Sequence, residues 1–278
     1  MDHFNDLTGP PLSPENPPEE RINGKRIIFL SDVHLKGSGD AVHERFMRFL
    51  DRLRGRGISD DRNASGDPLT VDHLVLAGDF FDFWFGRKDA IYPGFGQVVE
   101  KLVALKRLGI RISLFEGNHD FFLAEYFSRI LGMDVYTEWA EWEIDGRKAL
   151  ISHGDTVDRG NLKYRALRKV LRSGFFRRLQ GALPLRFLWL AARISSATSK
   201  GIPGKSDDRL EKVMQRFARK KFEEGYDIVI LGHCHRPTLH DELCDGRRTT
   251  FATLGDWVTH DSYLVYDEGR FTLERFLP

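Results

Sequence analysis

The sequence predicts an α/β fold, and three observations carry that expectation. Short apolar runs recur along the chain, and each stops at a polar turn bearing Asp, Asn or His. Helical patterns lie between several of these runs, and strand-like runs return from Thr249 onward. Strands alternating with helices form open sheets whose functional groups gather beyond the strand ends.

In order, residues 1 to about 22 carry Pro10, Pro11, Pro14, Pro17 and Pro18 and few apolar side chains. They read as a disordered, Pro-rich tail ahead of a single domain spanning 23–278. Lys25–Leu30 then reads as a buried strand ending at Ser31-Asp32. His73–Ala77 runs into Gly78-Asp79, and Ile110–Phe115 into Gly117-Asn118-His119-Asp120. Lys148–Ile151 runs into His153-Gly154-Asp155, and Tyr226–Leu231 into Gly232-His233-Cys234-His235. Helices are expected at about Ala41–Arg54 and Phe95–Leu108, and a mobile loop rich in Gly, Ser, Asp and Asn at Arg56–Thr70. Phe251–Leu254, Ser262–Tyr266 and Phe271–Phe276 read as short strands, so the chain ends in a largely β segment. Asn161–Lys221 breaks the rhythm with helix-like patterns, at Tyr164, Leu167, Val170 and Leu171 and again from Leu183 to Ile194, punctuated by Gly174, Gly181, Pro184 and Pro203. It reads as a helical insertion, or lid, with bounds near 156–221.

Composition narrows the function classes. No apolar run reaches the roughly 18 residues that a membrane span requires, and the opening residues are acidic and Pro-rich, without a basic-then-apolar leader pattern. Cys234 and Cys244 give no disulfide framework, which points to a reducing cytoplasm. The net charge of +1 conceals an asymmetry: Thr156–Lys221 holds 18 Lys and Arg against 4 Asp and Glu, while the rest of the chain is correspondingly acidic. Such a basic stretch suits an anionic surface or substrate.

Taken singly, the strand-end residues say little. Asp32-Val33-His34 reads equally well as a capped turn, and Asp79 after Gly78 is ordinary turn chemistry. Together, five strand ends deliver Asp, Asn or His in the order D-x-H, G-D-x-x-D, G-N-H-D, H-G-D and G-H-x-H. Mixed carboxylate, amide and imidazole donors suit Mn²⁺, Fe²⁺ or Zn²⁺ better than an all-oxygen Ca²⁺ site. Two such ions held close together need a shared anionic ligand to offset their repulsion. Cys234 points away from its two His neighbours, because successive strand residues face opposite sides, so neither cysteine is expected as a ligand. His43, His73, His240 and His260 read as surface or structural, and Asp82, Asp120 and Asp155 as groups that orient neighbouring His and backbone atoms.

That ordered set of motifs resembles the calcineurin-like metallophosphoesterases over nearly the whole chain beyond the tail. The resemblance implies a four-layer α/β/β/α sandwich with the helical lid inserted. It implies two divalent ions, Mn²⁺ first among them. Asp79 would bridge them, with Asp32, His34 and His235 completing one site and Asn118, His153 and His233 the other. A water activated between the ions would attack phosphorus in line. His119 would then stand beside the leaving group as a general acid or charge stabiliser.

Longer matches are closer still. Ser31-Asp32-Val33-His34-Leu35, Gly78-Asp79-Phe80-Phe81-Asp82-Phe83-Trp84, Gly117–Phe121, His153–Thr156 followed by Tyr164, Gly232–Pro237 and Leu254-Gly255-Asp256-Trp257 resemble the UDP-2,3-diacylglucosamine diphosphatases of lipid A synthesis. Those enzymes release UMP and a diacylglucosamine 1-phosphate at the inner face of the bacterial inner membrane. The resemblance implies a nucleotide-diphosphate lipid substrate, an anionic membrane surface as partner and no nucleic acid. It implies substrate contacts at Asn161, Tyr164, Lys205 and Arg236. Phe175-Phe176, Leu179, Leu183, Leu185 and Phe187–Leu190 would offer apolar area for acyl chains, at about 0.8 kcal/mol per buried CH₂. The basic stretch would meet an anionic leaflet, at about 1 kcal/mol per basic residue near the surface. Two departures stand out: His119 where those enzymes commonly have Arg, and Asn161 where many have an acid. A diphosphatase or phosphodiesterase for a soluble nucleotide, a membrane-peripheral binding scaffold and a nuclease are the other readings of the same centre.

Overall fold

The computed structural model describes residues 20–55, 68–84, 91–176, 178 and 205–277. Along the chain come β1 (Glu20–Ile22), β2 (Ile27–Leu30), helix α1 (Ala41–Arg52), β3 (Leu53–Arg54), β4 (Leu69–Thr70) and β5 (His73–Ala77). Helix α2 (Gly96–Arg107) follows, then β6 (Arg111–Phe115), β7 (Asp134–Tyr136), β8 (Trp139–Ile144) and β9 (Arg147–Ser152). Helices α3 (Leu162–Leu171) and α4 (Lys205–Glu223) precede β10 (Ile228–Leu231), β11 (Thr238–Cys244), β12 (Arg247–Thr253), β13 (Ser262–Asp267) and β14 (Arg270–Arg275).

The strands form two six-stranded sheets, ordered β14-β13-β2-β5-β6-β7 and β1-β8-β9-β10-β12-β11, beside a small β3-β4 pair. In the first sheet β2, β5, β6 and β7 are parallel; in the second, β9, β10 and β12 are. Parallel neighbours need crossover connections: α1 lies between β2 and β5, α2 between β5 and β6, and α3 and α4 between β9 and β10, while β11 lies between β10 and β12.

Strand parity explains the layers, since alternate residues face opposite sides of a sheet. Ile27, Phe29, Val75 and Ala77 of the first sheet meet Ala149, Ile151, Ile228 and Ile230 of the second in one core. Their sequence neighbours Ile28, Leu30, Leu74 and Leu76 turn outward to Phe46, Phe49 and Leu50 of α1 and Val98, Leu102 and Leu105 of α2. Leu150, Val229 and Leu231 turn outward instead to Met214, Ala218 and Phe222, one helical stripe of α4. The result is the expected four-layer α/β/β/α sandwich. Helix α1 starts where it does because the Asp40 side chain accepts a 2.6 Å hydrogen bond from the His43 amide, an N-cap.

The structure changes two boundaries and adds strands. Residues 20–22, expected within the tail, form β1 and pair with Trp142–Ile144 of β8. Residues 205–221, expected within the lid, belong to α4 and supply the fourth layer, because Met214 and Ala218 are core residues on its stripe. Strands β8 and β11 were not anticipated, although β8 buries Ala140, Trp142 and Ile144 in a period-two pattern. Residues 1–19 of the expected tail, 56–67 of the expected mobile loop, and Leu179, Leu183, Leu185 and 187–190 of the lid lie outside the described residues.

One core histidine has a stability consequence. His73 opens β5, hydrogen-bonds Ser113 Oγ at 2.8 Å and stacks on Trp142. Burial, with Arg111 adding to it, pushes its pKa down to about 3. The unfolded chain then binds this proton more readily than the folded one below about pH 6.5. Stability from this site is whole above pH 6.5 and falls as pH drops toward 3, by about 2 kcal/mol at pH 5. His73→Gln is expected to flatten the fall of the urea midpoint between pH 6.5 and 5; an unchanged slope would refute the assignment.

Candidate metal centre

The strand ends of both sheets converge at one edge of the sandwich. Asp32 and His34 follow β2, Asp79 follows β5, Asn118 follows β6, His153 follows β9, and His233 and His235 follow β10. Three overlapping groups have ligand atoms within 4.8 Å of one another: Asp32, His34 and His235; His34, Asp79 and His119; Asp79, His153 and His233. Asn118 joins the last group, its Oδ1 lying 3.1 Å from His153 Nε2. All seven expected ligands are thus brought together, and His119 with them.

The backbone is bent to achieve this. Asp32, His34, Asp79 and His233 have φ of 54°, 51°, 50° and 60°. Non-Gly residues rarely adopt this left-handed conformation, and when held there they mark functional turns. Two glycines leave the room the turns require. A Cβ on Gly117 would fall 2.1 Å from Asp79 Oδ1, and one on Gly78 would fall 2.5 Å from His153 Nδ1. Asp120 ties the β5 and β6 turns together, accepting hydrogen bonds from the amides of Asp79, Phe80, Phe81 and Gly117 at 2.8–3.2 Å. This is the orienting role expected of it.

Three of the four ligand histidines have a group facing their other nitrogen. His153 Nδ1–H donates to the Ala77 carbonyl at 3.1 Å, which turns Nε2 toward Asp79 Oδ2 at 3.5 Å. His34 Nδ1 faces Asp82 at 3.7 Å, and its Nε2 lies 3.8 Å from Asp32 Oδ1 and 3.9 Å from Asp79 Oδ2. His235 Nδ1 faces Asp256 at 3.6 Å while Nε2 is 3.3 Å from Asp32 Oδ1. Asp32 Oδ1 and His34 Nε2 are buried without a hydrogen-bond partner. Buried polar atoms are normally satisfied, so two orphans in a cluster of carboxylates and imidazoles fit a cation.

Electrostatics agree. Burial opposes ionisation of Asp32, but His235, with Nε2 3.3 Å away, and the His153 charge hold its pKa down at about 2. Burial likewise opposes ionisation of Asp79, and His153 and His119 hold it well below the usual carboxylate range. Burial alone would depress His153 and His235, yet Asp79 pushes the first up to about 10 and Asp32 the second up to about 9. The metal-free cluster therefore carries protons at neutral pH that bound cations must displace. Mn²⁺ titration of metal-free protein, in buffers of differing ionisation enthalpy, is expected to show proton release near pH 7.5 and affinity rising with pH. Affinity independent of pH between 6.5 and 8.5 would refute this.

A family model described as calcineurin-like phosphoesterase matches residues 25–237, which span every one of these ligands. The chain belongs to the calcineurin-like phosphoesterase family. It is a hydrolase, as the family and its relatives are. Proteins named UDP-2,3-diacylglucosamine hydrolase match it over most of its length. That of Aeromonas salmonicida is 30% identical over 253 residues, covering 90% of this chain and 94% of the relative. That of Serratia proteamaculans is 28% identical over 250 residues, covering 90% and 98%. That of Pseudomonas putida is 29% identical over 251 residues, covering 90% and 98%.

Around this phosphoesterase centre the expected contact residues behave differently from one another. The Tyr164 ring stacks on His233 at 6.5 Å, and its hydroxyl donates to Asp155 Oδ2. Asn161 caps α3, accepting a hydrogen bond from the Tyr164 amide at 3.2 Å. The Arg236 guanidinium pairs with Asp208 and Glu211 on α4. Lys205 opens α4, and its side chain lies outside the described residues. Of the other expected orienting acids, Asp82 faces His34, while Asp155 turns to α3. Cys234 is a buried thiol, as expected.

Two arginines and one acid were not singled out from the sequence. Arg168 Nε donates to Asp155 Oδ2 at 2.8 Å and pairs with Glu138. Arg172 pairs with buried Glu116, just before the Gly117-Asn118 turn, at 3.2 Å. Helix α3 is thereby fastened to the turns that carry His153 and Asn118. Burial pushes Glu116 up to about 7 against the pull of Arg172. Asp256, in a motif quoted above without a role, accepts hydrogen bonds from the Thr259 and His260 amides and stands behind His235.

Proposed function

We propose that this phosphoesterase holds two divalent ions, Mn²⁺ first with Fe²⁺ or Zn²⁺ suiting the same donors, and hydrolyses UDP-2,3-diacylglucosamine to UMP and 2,3-diacylglucosamine 1-phosphate. The observation that carries the chemistry is the sharing of Asp79 and His34 among overlapping ligand groups. Asp32, His34 and His235 would hold one ion and Asn118, His153 and His233 the other, with Asp79 as the carboxylate common to both. When bound, the ions activate water and neutralise charge on the phosphoryl oxygens. The oxygen–phosphorus bond forms at the α-phosphorus as the bridging bond to the β-phosphate breaks.

The leaving phosphate oxygen needs a proton or a positive charge beside it. His119 is the residue for that role. Its Nδ1–H donates to the Asp82 carbonyl at 3.0 Å, so its Nε2, 4.0 Å from Asp79 Oδ2, is turned toward the centre. General acids of this kind contribute about 10²–10⁴-fold. Tyr164, stacked beside His233, is a contact for the sugar or phosphate. The substrate assignment is supported by the names of the relatives, which match this chain over 90% of its length. A peripheral site at the cytoplasmic face of the inner membrane goes with that substrate. Among the described residues no helix is long and apolar enough to cross a membrane. Helix α3 and the turn after it leave Leu162, Leu167, Val170 and Phe175 exposed on a strongly basic segment, the composition of an interfacial helix.

The test is hydrolysis of UDP-2,3-diacylglucosamine with Mn²⁺, set against UDP-glucosamine without acyl chains and a simple nucleotide diester. The acylated substrate is expected to be preferred strongly in kcat/KM. Equal rates with and without acyl chains would replace the lipid substrate by a soluble nucleotide compound and leave the metal chemistry standing.

A further inference from the structure

The groups behind the ligands are distributed unevenly. Around Asp32, His34 and His235 stand two further carboxylates: Asp82 Oδ1 lies 3.7 Å from His34 Nδ1, and Asp256 Oδ2 lies 3.6 Å from His235 Nδ1. Both acids are buried, and Asp82 Oδ2 has no hydrogen-bond partner. The groups directly behind Asn118, His153 and His233 are neutral. His153 is backed by the Ala77 carbonyl, His233 packs against the rings of His153 and Tyr164, and Asn118 is an amide. The carboxylate at hand there, Asp155, gives Oδ2 to Tyr164 and to the Arg168 guanidinium, a cation that offsets part of its charge.

We propose that Asp82 and Asp256 make the two ion positions unequal, so that the Asp32–His34–His235 position binds its divalent ion first and more tightly, while the Asn118–His153–His233 position is the exchangeable one. This rests on the two-ion reading above. Two effects act in the same direction. A carboxylate behind an imidazole fixes the ring and raises its basicity, and losing such a partner typically weakens metal binding about 10–100-fold. Two further negative charges in a water-poor site also attract a dication directly, with little screening by salt. The shared Asp79 favours both positions alike and cannot distinguish them.

Asp256 also permits a clean substitution. Its Oδ1 accepts the Thr259 and His260 amides at 2.8 and 3.0 Å, while Oδ2 is the oxygen that faces His235. Asp256→Asn keeps an oxygen for the turn and presents an uncharged amide to the histidine. Asp82→Asn provides the same change behind His34 and stands in should the first variant fold poorly.

The experiment is titration of metal-free full-length protein with Mn²⁺, followed by the electron paramagnetic resonance signal of free Mn²⁺ and by calorimetry. Two ions are expected to bind in two classes whose affinities differ at least about tenfold, the tight class filling first. Asp256→Asn or Asp82→Asn should weaken the tight class about 10–100-fold and leave the other class nearly unchanged, whereas Asn118→Ala should weaken only the other class. Two equal classes, or a loss spread evenly over both in the carboxylate variants, would overturn the inequality and leave the two-ion reading intact. Binding of fewer than two ions by the unaltered protein would overturn both. A purely structural role for the acids would lower the melting temperature without separating the classes.

Discussion

Replacing Asp79 by alanine is expected to lower turnover at least about 10³-fold and to leave the protein unable to hold two ions together. Asp79 belongs to two of the three ligand groups, one with His34 and one with His153 and His233. Among the described residues no other carboxylate is so shared. Without it, two dications would face one another in a site of low effective dielectric, where repulsion is strong. The loss should therefore appear in metal stoichiometry as well as in rate, and excess Mn²⁺ should not restore it. The metal-free protein should also be weakened, by about 3 kcal/mol, because a protonated, fully buried His153 loses its partner. Asp79→Asn separates the two effects: it retains volume and the hydrogen bond from the His119 amide at 2.9 Å, yet supplies no negative charge. An Asp79→Ala protein with two bound ions and full turnover would end the bridging assignment.

Gly117→Ala is the second large effect, although it removes no reactive group. The added methyl would lie 2.1 Å from Asp79 Oδ1 and 2.5 Å from the Asp79 amide nitrogen. One of those contacts is with backbone, so a side-chain rotation cannot relieve both. Asp79 must move, or the β6 turn must. Overpacking of this kind costs about 1–3 kcal/mol, and a displacement near 1 Å at reacting groups can reduce rate about 10²-fold. The expected variant is folded, less stable and nearly inactive, with weakened binding of both ions. Gly96→Ala is the control, since a Cβ there meets nothing within 4 Å. It lies at the start of α2 and should be neutral or slightly stabilising. If the two alanine variants behave alike, close approach at Gly117 is not what the turn requires.

The sequence was most readable where one local signal sufficed. His73–Ala77 is a strand over the residues expected, because five consecutive apolar or buried positions between polar turns suit a strand covered on both faces. The ligands were readable for a related reason: each sits immediately after such a run, and parallel strands bring those ends to one edge. What could not be read was pairing over distance. Nothing in the neighbourhood of Asp155 says that it will meet Arg168 as well as Tyr164, or that Arg172 will reach Glu116, since α3 must first dock. Asp256 could be quoted as part of a motif, but its place behind His235 exists only once β12 lies beside β10. Asn161 and Arg236 show the converse. One had a local signal, an Asn three residues before the amide it caps, and the other finds its acids on a helix far earlier in the chain.

The three residues of β1 close the free edge of β8. A six-residue strand with buried Trp142 and Ile144 on one face would otherwise present its amides and carbonyls to any passing chain. A very short terminal strand limits that invitation, because few ladder bonds remain on offer. A shortened version of this protein that starts after Ile22, chosen because the preceding residues look dispensable, would exchange a blunt edge for a sticky one. It would keep the whole metal centre and still tend to self-associate, so the useful place to shorten the chain lies before Glu20.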